Sequence, residues 1–317
     1  MEVPTAAPDA ASTAYHTPVL AAVVQAWAEG STRVVDATLG GGGHAAILLR
    51  LGARVFGIDR DPEAIAAARQ RLGADRIEYL EASFAAPAAL AAVREFHPDR
   101  ILLDLGVSSH QIDTLERGFT FRPGAPLDMR MKLSSRGVTA RDVLNTWTVE
   151  RLAAVFKDNA DERRGRALAR EVVRRRLNAP FSVSDDFVNA IRAVLGPPPR
   201  SGPPDFARLF QALRIAVNDE LESLETALPG LRDALVPGGR LGVITYHSGE
   251  DRIVKNAFRE WGRDCICPPR QPVCTCRGKA LGRVLTKKPL RPDAGEIAAN
   301  PRARSAQFRA FETTGEV

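Results

Sequence analysis

Residues 34–44 read VVDATLGGGGH, an apolar run that breaks into four consecutive glycines and ends at a helix-forming stretch. Main chain without Cβ atoms lets a ligand lie against the backbone at a helix N-terminus, which is how α/β folds hold nucleotide-like cofactors. The first expectation is therefore a βα unit that binds an adenosine-containing ligand.

The pattern repeats along the chain. Strands are expected at 33–39, 54–59, 76–81 and 100–105, with helices at 44–51, 61–72 and 87–96, the second of them opened by Pro62, which suits a first helical turn. Apolar strands alternating with helices imply a parallel sheet covered on both faces, so the fold class is α/β, doubly wound and Rossmann-like. The alternation then stops. Residues 113–205 contain an irregular segment, RGFTFRPGAPLDMRM, then helical patterns at 139–157, 161–177 and 184–195, and a proline cluster closes the region at 196–204. A helix at 206–228, a strand at 240–246, a helix at 251–261 and strands at 283–287 and 305–311 resume the α/β rhythm. The expected organisation is a discontinuous domain, 16–112 and 206–317, interrupted by a helical insertion at 113–205 and preceded by an Ala/Pro/Thr-rich leader, 1–15, read as disordered.

Composition bounds the partners. A hydrophobic content of 44% suffices for a core, and a net charge of +6 suits a polyanionic partner. No apolar run reaches the roughly 18 residues of a membrane span. The leader has neither a basic n-region nor an apolar h-region, so the expected location is the cytoplasm. All four cysteines, Cys265, Cys267, Cys274 and Cys276, lie in CICPPRQPVCTC. Two CxC pairs can offer four thiolates to zinc, but one intervening residue is tighter than the CxxC of common structural sites. The expectation is a reduced, thiol-bearing loop with no metal assigned.

Ligands of open α/β sheets bind beyond the carboxyl ends of the strands, which directs attention to 40–44, Asp59, Ser83 with Phe84, 104–111 and 246–251. Asp59 closes the second strand, where a carboxylate can accept both ribose hydroxyls of an adenosine. A dinucleotide fingerprint starting at Gly40 and Gly42 needs glycine at 45, and the chain has Ala45. Asp36, just before the turn, suits the amino group of a methionine moiety and would repel a pyrophosphate. S-adenosyl-L-methionine is thus favoured over a nicotinamide dinucleotide. The fourth strand ends in Asp104-Leu105-Gly106-Val107-Ser108-Ser109, where a methyl acceptor can approach. Methyl transfer from a sulfonium chiefly requires alignment, and Asp104 and Ser108 can accept the N–H hydrogens of an exocyclic amine.

Eight ordered motifs then carry a resemblance. They are His16-Thr17-Pro18-Val19-Leu20, the run 36–44, the run 104–109, Arg117-Gly118-Phe119, Leu127-Asp128-Met129-Arg130-Met131, Phe210-Gln211-Ala212-Leu213-Arg214-Ile215, Tyr246-His247-Ser248, and Asn300-Pro301-Arg302-Ala303-Arg304-Ser305-Ala306. Together they resemble the RsmH (MraW) family of bacterial 16S rRNA cytosine-N4 methyltransferases over about residues 16–312. The resemblance implies a class I methyltransferase fold, S-adenosyl-L-methionine as cofactor, and 16S rRNA or the small ribosomal subunit as partner, with a decoding-region cytidine as acceptor. It places cofactor contacts at Gly42, Gly43, His44, Asp59, Phe84, Asp104 and Gln111. Lys132, the stretch 159–162 and Gly249 depart from the family's pattern, all outside the cofactor positions named above.

Within the insertion, Arg163, Arg166, Arg170 and Arg174 fall at helical spacing and are expected to form a single-signed stripe for RNA phosphates. Two other classes stay open at this point: a nicotinamide-dependent reductase, against which the broken fingerprint counts, and a non-catalytic RNA-binding assembly factor, against which the acidic positions Asp36, Asp59 and Asp104 count.

Overall fold

The computed structural model describes residues 18–132, 137–197, 205–268, 271 and 273–314. The leader, His16, Thr17 and the proline cluster from 198 to 204 lie outside these residues.

Seven strands form one sheet: β1 (Arg33–Asp36), β2 (Arg54–Asp59), β3 (Ile77–Glu81), β4 (Arg100–Asp104), β5 (Arg240–Thr245), β6 (Gly282–Val284) and β7 (Gln307–Thr313). Their order across the sheet is β3-β2-β1-β4-β5-β7-β6. The first five run parallel, and β7 is antiparallel to both β5 and β6. The inner strands β1, β4 and β5 are apolar and almost wholly buried because helices cover both faces. On one face pack α1 (Ala21–Ala28), α2 (Gly43–Arg50) and α3 (Pro62–Leu72), through residues such as Leu20, Val24, Leu48 and Ile65. On the other pack α4 (Pro87–Phe96) and two later helices, through Val93, Leu228 and Phe258. The strand order reverses at β1 and β4, so the crevice for a ligand opens between their carboxyl ends.

Between β4 and β5 the chain leaves the sheet. After the short α5 (Ser109–Asp113) come α6 (Ala140–Thr146), α7 (Val149–Ala160), α8 (Gly165–Arg176), α9 (Ser184–Leu195), α10 (Asp205–Asn218) and α11 (Glu220–Asp233), and then, beyond β5, α12 (Ser248–Trp261) and α13 (Ala294–Ala299). Helices α6 to α10 enclose their own core around Phe156, Phe187, Leu144 and Leu168. Helix α10 corrects the expected boundary at 205, because its residues Phe206, Leu209, Phe210 and Leu213 are buried in this second core and not against the sheet.

Three expected helices change at their ends for local reasons. The pattern at 139–157 divides into α6 and α7 at Trp147 and Thr148, where the Thr148 hydroxyl caps α7 by accepting the Arg151 N–H. The pattern at 161–177 starts late, since Asp161 is left-handed at the end of α7 and α8 begins at Gly165, where an added Cβ would lie 3.1 Å from the Phe156 Cβ. The long pattern at 206–228 breaks at Asp219 (φ 50°). The break leaves Asn218, at the end of α10, to accept the Met131 N–H and donate to the Met129 carbonyl, at 2.9 and 2.8 Å, fastening the segment 129–131 to α10.

Candidate active site

The carboxyl ends of β1, β2 and β4 meet the turn into α12 around one cleft of about 310 Å³. Its walls come from distant parts of the chain, among them Gly41, Asp59, Phe84, Asp104, Tyr246 and Arg302.

The glycine turn is fixed by Asp59. One carboxylate oxygen accepts the Gly40 N–H and the other the Asp61 N–H, both at 2.8 Å, while burial raises the pKa of the group above the ordinary carboxylate value. Gly40 and Gly42 have φ of +51° and +76°, values that favour glycine. Gly42 itself does not line the cleft, in contrast to the expectation from its motif: a Cβ there would come within 2.7 Å of the Leu72 side chain, so its identity serves the packing of α2 on α3. Gly40, Gly41 and Gly43 line the cleft instead.

Beneath this turn three ionisable groups meet. His44, in the first turn of α2, points its Nε2 at Asp104 Oδ2 from 3.3 Å, and Asp36 lies fully buried beside them. Burial drives the Asp36 pKa up to about 7, although His44 pulls it down. For His44, burial works to lower the pKa, but the adjoining Asp104 and Asp36 carboxylates reverse this and raise it. Among the described residues, Asp36 Oδ2 and His44 Nδ1 have no hydrogen-bond partner, which is uncommon for buried polar atoms. Asp36 is not part of the cleft wall, so its expected direct contact with an ammonium is corrected: its charge acts through His44 and Asp104 from the layer below.

Asp104 is the pivot. Its backbone N–H donates to Thr38 Oγ1 at 2.6 Å, and its Oδ1 accepts the Tyr246 hydroxyl at 2.8 Å. Burial and the Asp104 charge push the tyrosine pKa well above its usual value, so the phenol stays protonated as the donor. Ser108 and Gln111 form a reciprocal cap on α5, with Ser108 Oγ accepting the Gln111 N–H and Gln111 Oε1 accepting the Ser108 N–H at 3.2 and 3.0 Å. The Gln111 amide also donates to Asp61 Oδ2 at 2.8 Å. Both residues line the cleft, and their polar groups also fix its wall.

The sequence pattern left Arg117 as part of a motif without a role. Its guanidinium is buried, and it bonds Asp61 at 2.8 Å, Glu63 at 2.7 Å and the Met131 carbonyl at 2.7 Å, tying the start of the insertion to the N-terminus of α3. Tyr246 and Glu250, from the strand-end stretch 246–251, and Arg214 with Glu220, of which Glu220 lies in no quoted motif, are further cleft residues to which the sequence patterns give no role. They reach the site from α10, α11, the β5–α12 turn and the first turn of α12, and only the assembled fold puts them on one cleft with Asp104.

The arginine stripe is altered. Arg163 precedes α8, and Arg166, Arg170 and Arg174 are exposed along it. Arg174 is held in a forked pair by Glu171, at 2.9 and 2.8 Å, which pushes the glutamate pKa down to about 2; this corrects the expectation of a face without matching acids. Among the described residues no carboxylate pairs with Arg163, Arg166 or Arg170.

This arrangement joins a glycine turn, a second-strand carboxylate and a fourth-strand Asp under one cleft, and the profile described as the MraW methylase family matches residues 13–314. The chain belongs to the MraW methylase family. Curated relatives of this methylase include Ribosomal RNA small subunit methyltransferase H of Gemmatimonas aurantiaca, 56% identical over 311 residues, which are 97% of this chain and 98% of that protein. The protein of the same name from Heliobacterium modesticaldum is 47% identical over 286 residues, 88% of this chain and 91% of that one. A solved structure, NSun6 from Pyrococcus horikoshii with SFG, aligns at 12% identity and a TM-score of 0.41, covering 99% of this chain and 57% of that one. The methylase's strand order, with its antiparallel β7, is that of a Rossmann-like class I methyltransferase sheet, and no described helix is long and apolar enough to cross a membrane.

Proposed function

We propose that this methylase transfers a methyl group from S-adenosyl-L-methionine to the exocyclic N4 of a cytidine in the decoding region of 16S rRNA, presented by the RNA or by the small ribosomal subunit in the cytoplasm. The observation that carries the reading is Asp104, a carboxylate on the cleft wall whose two oxygens are oriented by the Tyr246 hydroxyl at 2.8 Å and by His44 Nε2 at 3.3 Å.

The buried His44 Nδ1, without a hydrogen-bond partner among the described residues, and the Cβ-free wall at Gly40 and Gly41 fit the cofactor. Asp59 would hold the ribose hydroxyls, Phe84 the adenine face, and the start of α2 with His44 the methionine end. Bound there, S-adenosyl-L-methionine supplies an electrophilic methyl group on a good leaving group. The protein's part is to aim the amine. Its nitrogen lone pair is delocalised into the ring, and hydrogen-bond acceptors for the N–H hydrogens help to localise it. Asp104 would accept one through Oδ2, the oxygen it also turns to His44 Nε2, and the Ser108 hydroxyl and main-chain carbonyls of 105–107 are the other acceptors on this wall. The new N–C bond would form as the methyl–sulfur bond breaks with its electron pair left on sulfur, and the nitrogen gives up one proton, for which the Asp104 carboxylate is the acceptor on this wall.

A base stacked in a helix cannot reach such a cleft, so the cytidine enters unpaired or flipped. Phe119 belongs to the margin of the insertion's core, and Phe121 is exposed and packs edge-on against Phe206 and Phe210; both lie on the segment that leads away from the active-site loop. Arg163, Arg166 and Arg170 would hold surrounding phosphates. Incubation with cofactor labelled in its methyl group, using undermethylated small-subunit and large-subunit RNA side by side, tests the substrate. Label should enter only the small-subunit RNA; label in neither, or equally in both, contradicts the proposal.

A further inference from the structure

The excursion between α12 and β6 carries the four cysteines, and the fold does what their spacing argued against. Cys265, Cys267, Cys274 and Cys276 place all four Sγ atoms within 4.8 Å of one another. The Cys265–Cys274, Cys267–Cys274, Cys265–Cys276 and Cys274–Cys276 separations are 3.9, 3.9, 3.8 and 3.5 Å. A tetrahedron of sulfurs at a Zn–S distance of about 2.3 Å has an edge of about 3.8 Å. A disulfide needs its sulfurs at about 2.05 Å, so no pair is bonded. A polynuclear iron–sulfur cluster would hold its thiolates farther apart, around several metal ions.

Backbone amides complete the case. The N–H groups of Thr275 and Cys276 donate to Cys267 Sγ, and those of Ile266 and Gly278 donate to Cys276 Sγ, the Ile266 contact being 3.4 Å. Such N–H donors stabilise sulfurs that carry charge and fix their direction, as the outer shell of a thiolate metal site does. Gly278, at φ +67°, is what lets the chain turn its amide back to the sulfur. The base of the excursion is closed independently. Arg277 donates to the Glu260 carbonyl at 2.5 Å and the Arg263 carbonyl at 3.2 Å, and Asp264 accepts the Ala280 N–H at 3.2 Å.

We propose that these four cysteines form a closed, mononuclear tetrathiolate site for a structural zinc ion, which pins the excursion between α12 and the edge strand β6. All four positions are filled by protein, so the ion has no open coordination place for substrate. It is remote in role from methyl transfer: its task is to hold the α12–β6 connection.

The full-length protein, purified under reducing conditions without chelator, should contain one zinc per chain by elemental mass spectrometry. After chelation, adding Co²⁺ should give the near-ultraviolet thiolate-to-metal band and the intense visible bands of tetrahedral cobalt, both of which should vanish when Zn²⁺ is added. The paired substitution Cys265→Ser with Cys276→Ser should abolish both signals while the circular dichroism of the α/β fold is retained. As a readout that does not depend on a variant, alkylation of the native cysteines should be slow and should accelerate at least tenfold once chelator is added. Four freely alkylated thiols with no cobalt band would overturn the site, as would an intact mass showing two disulfides.

Discussion

Asp36 and His44 are buried beside Asp104; burial discourages both from carrying charge, and for His44 the neighbouring carboxylates outweigh it. For Asp36 the pKa of about 7 in the folded protein lies above the 3.8 of the free side chain, so the folded state binds the extra proton between those values. Stability therefore falls as pH rises from about 4 to about 7 and levels above that. Asp36→Asn removes this component, and the stability difference between variant and parent, read by chemical denaturation of the cofactor-free proteins, should shift in favour of the variant by a few kcal/mol across that window. A difference independent of pH would contradict the buried acid. Asp59 behaves differently, because its two oxygens already accept the Gly40 and Asp61 amides. Asp59→Ala should weaken cofactor binding by about 2 kcal/mol, roughly thirtyfold in Kd by calorimetry, and also lower Tm by loosening the turn. Unchanged affinity would remove Asp59 from the site. At this scale the sequence reveals acids that follow strands, Asp59 and Asp104, because topology alone puts strand ends at the ligand. It marks the stretch 246–251 but not the bond from Tyr246 to Asp104, 142 residues away, nor that Gly42 faces Leu72 and not the cleft.

Among the elements, α8 and the segment after α5 carry the insertion's business. With Arg174 held by Glu171, the proposed RNA contact is assigned to Arg163, Arg166 and Arg170. Replacing Arg166 and Arg170 together by Ala should weaken RNA binding and reduce the slope of log K against log salt by roughly 0.7–0.9 for each phosphate the variant no longer neutralises, while leaving cofactor affinity alone. An unchanged slope would move the docking face elsewhere. The turn at Gly118 joins 115–117 to the segment that follows. Its φ is +72°, and a Cβ would fall 2.3 Å from the Pro126 carbonyl oxygen. Gly118→Ala should therefore cost several kcal/mol, seen as a large drop in Tm. The helical periodicity of α7, α8 and α9 was legible because each buries one apolar stripe. Their junctions were not, since the breaks at Thr148 and Asp219 are set by a cap and by the Asn218 clamp on 129–131, neither of which periodicity records.

For the molecule as a whole, a parallel sheet with an antiparallel last strand presents its switch point to one cleft, and a helical unit with its own core stands over it. Arg117 connects the two, buried against Asp61 and Glu63 at the N-terminus of α3 and bonded to the carbonyl of Met131. Removing one side of so buried a pair leaves an uncompensated charge, which typically costs about 3–5 kcal/mol. The sheet was readable from the sequence almost strand by strand, since parallel inner strands are uninterrupted apolar runs. The extent of the insertion was less so: α10 looks like the return to the α/β rhythm, and only its burial shows which core it serves. The account stands most directly on the product. Nucleoside mass spectrometry of undermethylated 16S rRNA, before and after incubation with this protein and S-adenosyl-L-methionine, should show new N4-methylated cytidine. The yield should fall about a hundredfold for Asp104→Ala at saturating cofactor. No methylated cytidine from the parent protein, or a methyl group on another base, would contradict it.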